Sequence, residues 1–182
     1  MKGKEMEQDI WFWSDPHFLH DAIIDYCNRP WKNAHSMDRA QIANYKEVIK
    51  PSSTVYVLGD FTIKTSAHRG RVEQIIRQLP GKKVLILGNH DYFKPFTYVE
   101  MGFWGVHTSL ELESLNMTLA HDPAVAEVNR RKLFVCGHVH TLFKTQRNVI
   151  NVGVDVNNFY PQPLSEIEVI RQQMITEGVI DG

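Results

Sequence analysis

The sequence predicts an α/β fold, and three observations predict it. Ile10-Trp11-Phe12-Trp13-Ser14, Thr54-Val55-Tyr56-Val57-Leu58 and Lys83-Val84-Leu85-Ile86-Leu87 are short apolar runs, as in strands buried on both faces. Between the second and third lies a helix-patterned stretch, so strand, helix and strand make a βαβ unit with parallel strands. Each run stops abruptly at polar groups: Asp15-Pro16-His17, Gly59-Asp60 and Gly88-Asn89-His90-Asp91. Open α/β sheets put their sites at such strand ends.

The elements follow in order. After the first strand, His20 to Trp31 carries Ala22, Ile23, Ile24 and Tyr26 and predicts a short helix ended near Arg29-Pro30. Ser36 reads as the N-cap of a helix running to about Lys50, where Pro51 stops it. The strand at Thr54–Leu58 leads to a helix from about Ala67 to Leu79, with Val72, Ile75, Ile76 and Leu79 as its buried stripe. Pro80-Gly81 ends that helix and opens the third strand. Beyond Asp91 the chain is aromatic and loop-like, with one short helix around Phe96 to Met101. Closely spaced strands are then expected at Thr108–Glu113, Met117–Ala120, Leu133–Cys136 and Val149–Val156. Their short connections suit a second, more antiparallel sheet. Ser165-Glu166-Ile167-Glu168 has the form of a capping box for a C-terminal helix that Gly178 stops.

Composition bounds the function. At 182 residues the chain is expected to form a single domain, residues 1–182. Its net charge of −1 gives no basic footprint for nucleic acid and no polybasic membrane signal. Met1-Lys2-Gly3-Lys4-Glu5 has no apolar run of signal-peptide length behind it, and no stretch reaches a membrane span of about 20 residues. Cys27 and Cys136 are too few for a disulfide framework. The expected compartment is the cytoplasm.

Alone, Asp15-x-His17 reads as a capped turn, and Gly88–Asp91 reads as well as a turn as it does as a site. Recurrence separates the two readings. Two later strands also end in histidine, at His121-Asp122-Pro123 and Gly137-His138-Val139-His140, so five apolar runs deliver potential ligands. Imidazoles with hard oxygens and no thiolate suit borderline first-row ions: Mn²⁺, Fe, Co²⁺, Ni²⁺ or Zn²⁺. The donors are too many for one tetrahedral ion, and two ions about 3.5–4 Å apart sharing a carboxylate account for the number.

In this order the motifs Asp15-x-His17, Gly59-Asp60, Gly88-Asn89-His90-Asp91, His121 and Gly137-His138-x-His140 resemble those of the calcineurin-like metallophosphoesterases. The resemblance implies a four-layer αββα sandwich of two mixed β-sheets flanked by helices, with two divalent ions between the sheets' C-terminal edges. It implies Asp15, His17 and His140 on one ion, Asn89, His121 and His138 on the other, Asp60 bridging, and His90 as proton donor. The implied activity is hydrolysis of a small phosphomonoester or phosphodiester, a nucleotide among the candidates, by a hydroxide bridging the ions. Mn²⁺ is the first choice for reconstitution.

The sequence departs from the pattern of the Ser/Thr protein phosphatases of this superfamily. Gly59-Asp60-Phe61-Thr62-Ile63-Lys64 lacks their second acid and arginine, so Asp91 or a carbonyl is left to orient His90. His20, Asn28 and Arg29 are candidate substrate contacts. Lys64, His68, Arg69 and Tyr92 could also reach a phosphate, though an ordinary surface or capping role suits each of these seven better. Two other classes stay open. A non-catalytic, protein-binding scaffold would have no need of His90, and a nuclease would need clustered Lys and Arg to track phosphates.

Overall fold

The computed structural model of the chain describes residues 9–63, 66–127 and 129–181. Along them run β1 (Ile10–Trp13), α1 (Ala22–Tyr26), α2 (Ala34–Val48), β2 (Thr54–Val57), α3 (Arg69–Gln78), β3 (Lys82–Ile86), α4 (Pro95–Met101), β4 (Gly105–His107) and β5 (Ser109–Leu112). The chain continues through β6 (Met117–Ala120), β7 (Leu133–Cys136), β8 (Thr145–Gln146), β9 (Val149–Asn151), β10 (Gln162–Pro163) and α5 (Leu164–Thr176). The strands form two five-stranded mixed sheets, ordered β10-β1-β2-β3-β4 and β5-β6-β7-β9-β8. This is the expected α/β sandwich.

Strand alternation explains the layering. In the first sheet Trp13, Val55, Val57 and Leu85 pack against Tyr45 of α2, Val72, Ile75 and Ile76 of α3, and Tyr98 and Met101 of α4. The neighbouring residues Phe12, Leu58 and Ile86 point the other way. They meet Met117, Leu119, Leu133, Val135 and Ile150 of the second sheet, where Ile167, Ile170 and Met174 of α5 join them. Both faces are buried, so these strands read as continuous apolar runs. Truncating a side chain such as Leu85, fully buried, is expected to cost about 2–5 kcal/mol.

Parallel pairing puts the functional strand ends on one side. β1, β2, β3 and β4 are parallel, with only β10 antiparallel at the edge. The second sheet is the more antiparallel of the two, as expected, with β5 and β8 running against its parallel central strands β6, β7 and β9. The connections leaving β6 and β7 are long enough for crossovers, which take about a dozen residues, and they carry His121, His138 and His140. A parallel bridge from Ser14 to Gly153 joins the two sheets at this edge.

Several boundaries differ from the sequence reading. The helix expected from Ser36 begins at Ala34, because Asn33 is the cap and its side chain accepts from the Ser36 N–H at 2.9 Å. Ser165 caps nothing: β10 runs straight into α5, with Pro163 at the N-cap position and no side-chain cap bond. Gly178 does stop the helix, at φ +69°. The strand expected at Thr108–Glu113 is β5, Ser109–Leu112, and a further strand, β4 at Gly105–His107, precedes it in the other sheet, so the chain crosses from one layer to the other at Thr108. Lys64 and Met1–Glu5 lie outside the described residues. Among the described residues no helix is long and apolar enough to cross a membrane.

Candidate metal centre

The shared edge is built from residues in unusual backbone conformations. Asp15, His17, Asp60, His138 and His140 all have positive φ, between 44° and 70°. L-residues avoid this region at a cost of roughly 1–3 kcal/mol each, and such strain gathers at functional sites. Close approach adds a second constraint. A Cβ on Gly88 would strike the Asp60 carboxylate, and one on Gly137 would strike Ser14 and the Asp15 carboxylate. Glycine at these two positions lets β3 and β7 bring their polar ends against β2 and β1.

Two clusters result. Asp15, His17 and His140 form one, and Asp60, His121 and His138 the other, with one potential ligand atom from each residue within 4.8 Å of the rest of its cluster. Asn89 joins the second, its Oδ1 lying 3.1 Å from His121 Nε2. Asp60 stands between them: its Oδ2 is 3.5 Å from His17 Nε2 and 3.4 Å from His121 Nε2. All seven expected ligand residues therefore meet at one edge. His90 meets them too, with its ring centroid 5.5 Å from that of His17 and its backbone N–H donating to Asp60 Oδ1 at 2.9 Å.

The electrostatics favour a cation here. Burial pushes His17 down to about 2, outweighing the opposing pull of Asp60. Its ring is thus neutral, and its buried Nε2 has no hydrogen-bond partner. Burial would raise Asp60, but the His121 hydrogen bond and charge, with His17, hold it at about 2. Burial opposes the His121 cation, yet Asp60 and Asp15 carry it up to about 9. Burial likewise opposes the His140 cation, and the Asp155 hydrogen bond carries it to about 10. Three carboxylates, Asp60 and Asp15 beside His121 and Asp155 beside His140, thus draw protons onto adjacent imidazoles. A divalent ion on the open ring nitrogen of His121 or His140 would leave each imidazole neutral and match the carboxylates with more charge. The orphaned Nε2 of His17 and the mixed imidazole and carboxylate donors fit such ions.

Other side chains brace this edge. The Asp91 carboxylate accepts from the backbone N–H groups of Asp60 (2.9 Å), Phe61 (3.0 Å) and Gly88 (2.9 Å), and from the Tyr98 hydroxyl (3.3 Å). It stitches the end of β2 to the end of β3 and does not orient His90, as the sequence had allowed. Burial raises its pKa to about 7, against those backbone hydrogen bonds. What meets His90 is the Tyr92 hydroxyl, 3.2 Å from Nδ1.

The candidate substrate contacts divide. His20 lies beside the clusters, Nδ1 to Nδ1 3.2 Å from His17, with its ring 6.3 Å from that of His90. Asn28 is exposed at φ 50°. Arg29 corrects the expectation, because its guanidinium is enclosed and fully engaged. Nε and Nη2 donate to Asp155, Nη2 also to Asp15 O, and Nη1 to Pro16 O and Met37 Sδ. Every N–H is used, so none is left for a phosphate. Arg69 pairs with Glu100 on the surface.

Asp155 is the residue that a strand over Val149–Val156 hides. β9 ends at Asn151, and a turn at Gly153 sends Asp155 toward His140. The signal was Gly153-Val154-Asp155 after an apolar run, a glycine and then an acid, as at Gly59-Asp60. Cavity size is a poorer guide. A wide groove lined by Ile10, Trp11, Leu164 and Val169 opens at the opposite ends of the strands and gathers no histidine.

The sequence profile of the calcineurin-like phosphoesterases matches residues 9–166. The chain is 32% identical to the uncharacterized protein MJ1445 of Methanocaldococcus jannaschii, over 87% of this chain and 88% of that one. It is 26% identical to the Gene 66 protein of Mycobacterium phage L5, over 81% of this chain and 86% of that protein. In structure it is similar to AQ665 of Aquifex aeolicus, a protein of unknown function, with a TM-score of 0.69 and 26% identity over 88% of this chain and 98% of that one. The chain belongs to the calcineurin-like phosphoesterase family.

Proposed function

We propose that this protein is a metal-dependent phosphoesterase acting on a small phosphomonoester or phosphodiester, nucleotides included. One observation carries the reading: a single carboxylate oxygen, Asp60 Oδ2, lies almost equally far from His17 Nε2 (3.5 Å) and His121 Nε2 (3.4 Å). That is the position of a bridge between two sites. In this reading Asp15, His17 and His140 hold one divalent ion, Asn89, His121 and His138 hold the other, and Asp60 is shared. Mn²⁺, Fe, Co²⁺, Ni²⁺ and Zn²⁺ all suit these donors. When bound, such a pair neutralises charge on the phosphoryl oxygens and makes water a better nucleophile near neutral pH.

The chain's own residues supply position and a proton. Water attacks phosphorus in line as the bond to the leaving oxygen breaks. His90, half-buried at the cleft with Nδ1 engaged by Tyr92, gives its proton from Nε2 to the departing alkoxide. Such a donor is worth about 10²–10⁴ in rate. The free cysteines, Cys27 half-buried and Cys136 buried, accord with a reducing compartment, the cytoplasm.

The test is hydrolysis of bis-p-nitrophenyl phosphate beside p-nitrophenyl phosphate, by metal-stripped protein reloaded with Mn²⁺. Turnover that appears with the metal and is absent in Asp60→Asn is the expected result, and the ratio of the two rates assigns diester or monoester. Asp60→Asn that still holds two ions per chain would refute the bridge.

A further inference from the structure

Behind His140 lies an arrangement that neither metal cluster uses. Asp155 Oδ2 sits 2.8 Å from His140 Nδ1. The same carboxylate takes Arg29 on both oxygens, at 2.8 Å from Nε and from Nη2. Arg29 in turn donates to the carbonyls of Asp15 (2.9 Å) and Pro16 (3.1 Å). The turn bearing Asp155 is itself fastened. Asn151 donates to His140 O and Phe143 O and accepts from Gly153 N–H. Asn157 donates to Gly153 O, and Val154 N–H to Ser14 O. The side chains of Arg29 and Asp155 are 0% and 2% exposed.

We propose that Asp155 is the positioning residue of the ion that Asp15, His17 and His140 hold, a reading that rests on the metal centre proposed above. A carboxylate can only accept, so His140 must carry its proton on Nδ1 and present its lone pair on Nε2. The hydrogen bond also fixes the plane of the ring and raises its basicity as a donor. Arg29 completes the device: by gripping Asp155 and the backbone at Asp15 and Pro16 together, it sets the distance between two ligands from different sheets.

Asp155 is not itself a ligand, although Cys27, His140 and Asp155 also bring donor atoms within 4.8 Å of one another. Both Asp155 oxygens already accept from a guanidinium, and a cation placed among these three would face that positive charge at contact. His140 has also committed Nδ1 to the carboxylate, which leaves only Nε2 for an ion.

The test is calorimetric titration of metal-stripped protein with Mn²⁺, with ions per chain counted by elemental analysis. Asp155→Asn is expected to weaken one ion by about 10–100-fold, the usual cost of losing such a partner, and to leave the other within about twofold. In a His140→Ala background the same change should cost under about twofold, because the effect passes through the imidazole. Cys27→Ala should leave both affinities unchanged. Asp155→Asn leaves Arg29 a buried, unpaired cation, so Arg29→Met/Asp155→Asn, which removes both charges, is titrated beside it with the same expectation for the ion. Equal weakening of both ions, an undiminished loss in the His140→Ala background, or a Cys27→Ala loss matching that of Asp155→Asn would overturn the inference. Wild-type protein that takes up no ion would overturn the metal centre itself, an outcome separate from two ions bound indifferently to residue 155.

Discussion

The two ligand clusters look alike in sequence and differ in what stands around them. The first, Asp15, His17 and His140, has a carboxylate of its own, buried at 0% exposure, and its imidazoles are backed by His20 and Asp155. The second, His121, His138 and Asn89, has only the shared Asp60. Its His121 is backed by a neutral group, the Leu58 carbonyl at 2.7 Å, and its Asn89 is an exposed carboxamide. With Asp60 counted in each, the first cluster sets two negative charges against a divalent ion and the second sets one. In the proposed centre the first would therefore retain its ion more firmly. The second would leave part of an ion's charge unmatched on its open side, where the phosphate of the proposed substrate would complete it. On the proposed metal centre, two sites of unequal strength would give a stable anchor and a partner that substrate helps to hold.

The largest effect tests whether the loop from Gly88 to Asp91 serves both clusters or chemistry alone. His90 hangs from Asp60 through its backbone N–H and places only its side chain in the cleft. His90→Ala keeps that N–H, so it should bind two ions as before and lose about 10²–10⁴ in kcat, most with poor leaving groups such as alkyl phosphates. A variant that loses an ion instead would make His90 a ligand and move the acid elsewhere.

The contrast between the clusters is sharpened by changing one residue in each. Asp15→Asn should weaken the tighter ion by more than about 100-fold, beyond the usual range for losing a supporting partner. Asn89→Ala should weaken only the looser ion, by about 10-fold. Asn89→Asp supplies the missing charge and should draw the two binding steps together in a Mn²⁺ titration. If Asn89→Ala disturbed both steps equally, the clusters would not be unequal sites.

Much of this was legible in the residues because strand ends are punctuated locally. An apolar run, a glycine and a polar group can be read without knowing what packs where, and parallel topology then carries Asp60 and Asn89 to the same edge. Less legible was whatever depended on pairing across the molecule. Arg29 and Asp155 are far apart in sequence, and nothing near either shows that they form a buried ion pair behind His140. Arg29 therefore reads as a phosphate contact and Asp155 as strand. Asp91 reads as part of a catalytic turn, whereas its carboxylate holds β2 to β3. The second sheet is the more antiparallel one, as expected, but its parallel centre was not legible for a related reason: short strands imply hairpins only if their connections are short, and those bearing the histidines are not.

The smallest effect concerns how the first cluster is braced. The Asp38 carboxylate accepts from Leu19 N–H at 3.1 and 3.3 Å, and Leu19, two residues beyond His17, is held at φ 63°. Burial raises Asp38 to about 6, with Leu19 N–H and Arg71 opposing. Between the ordinary carboxylate value near 4 and about 6, the folded protein binds more protons than the unfolded chain, so stability falls as pH rises through that window. Asp38→Asn keeps the acceptor oxygen and removes the titration. Measured by urea unfolding from pH 4 to 7, wild type should lose on the order of 1–2 kcal/mol relative to Asp38→Asn, after discounting residual solvent screening. Mn²⁺ uptake at pH 7 should change little, because the hydrogen bond to Leu19 survives. A stability difference that does not vary with pH would mean that Asp38 is ionised throughout the window, and that the brace behind His17 is charged as well as the one behind His140.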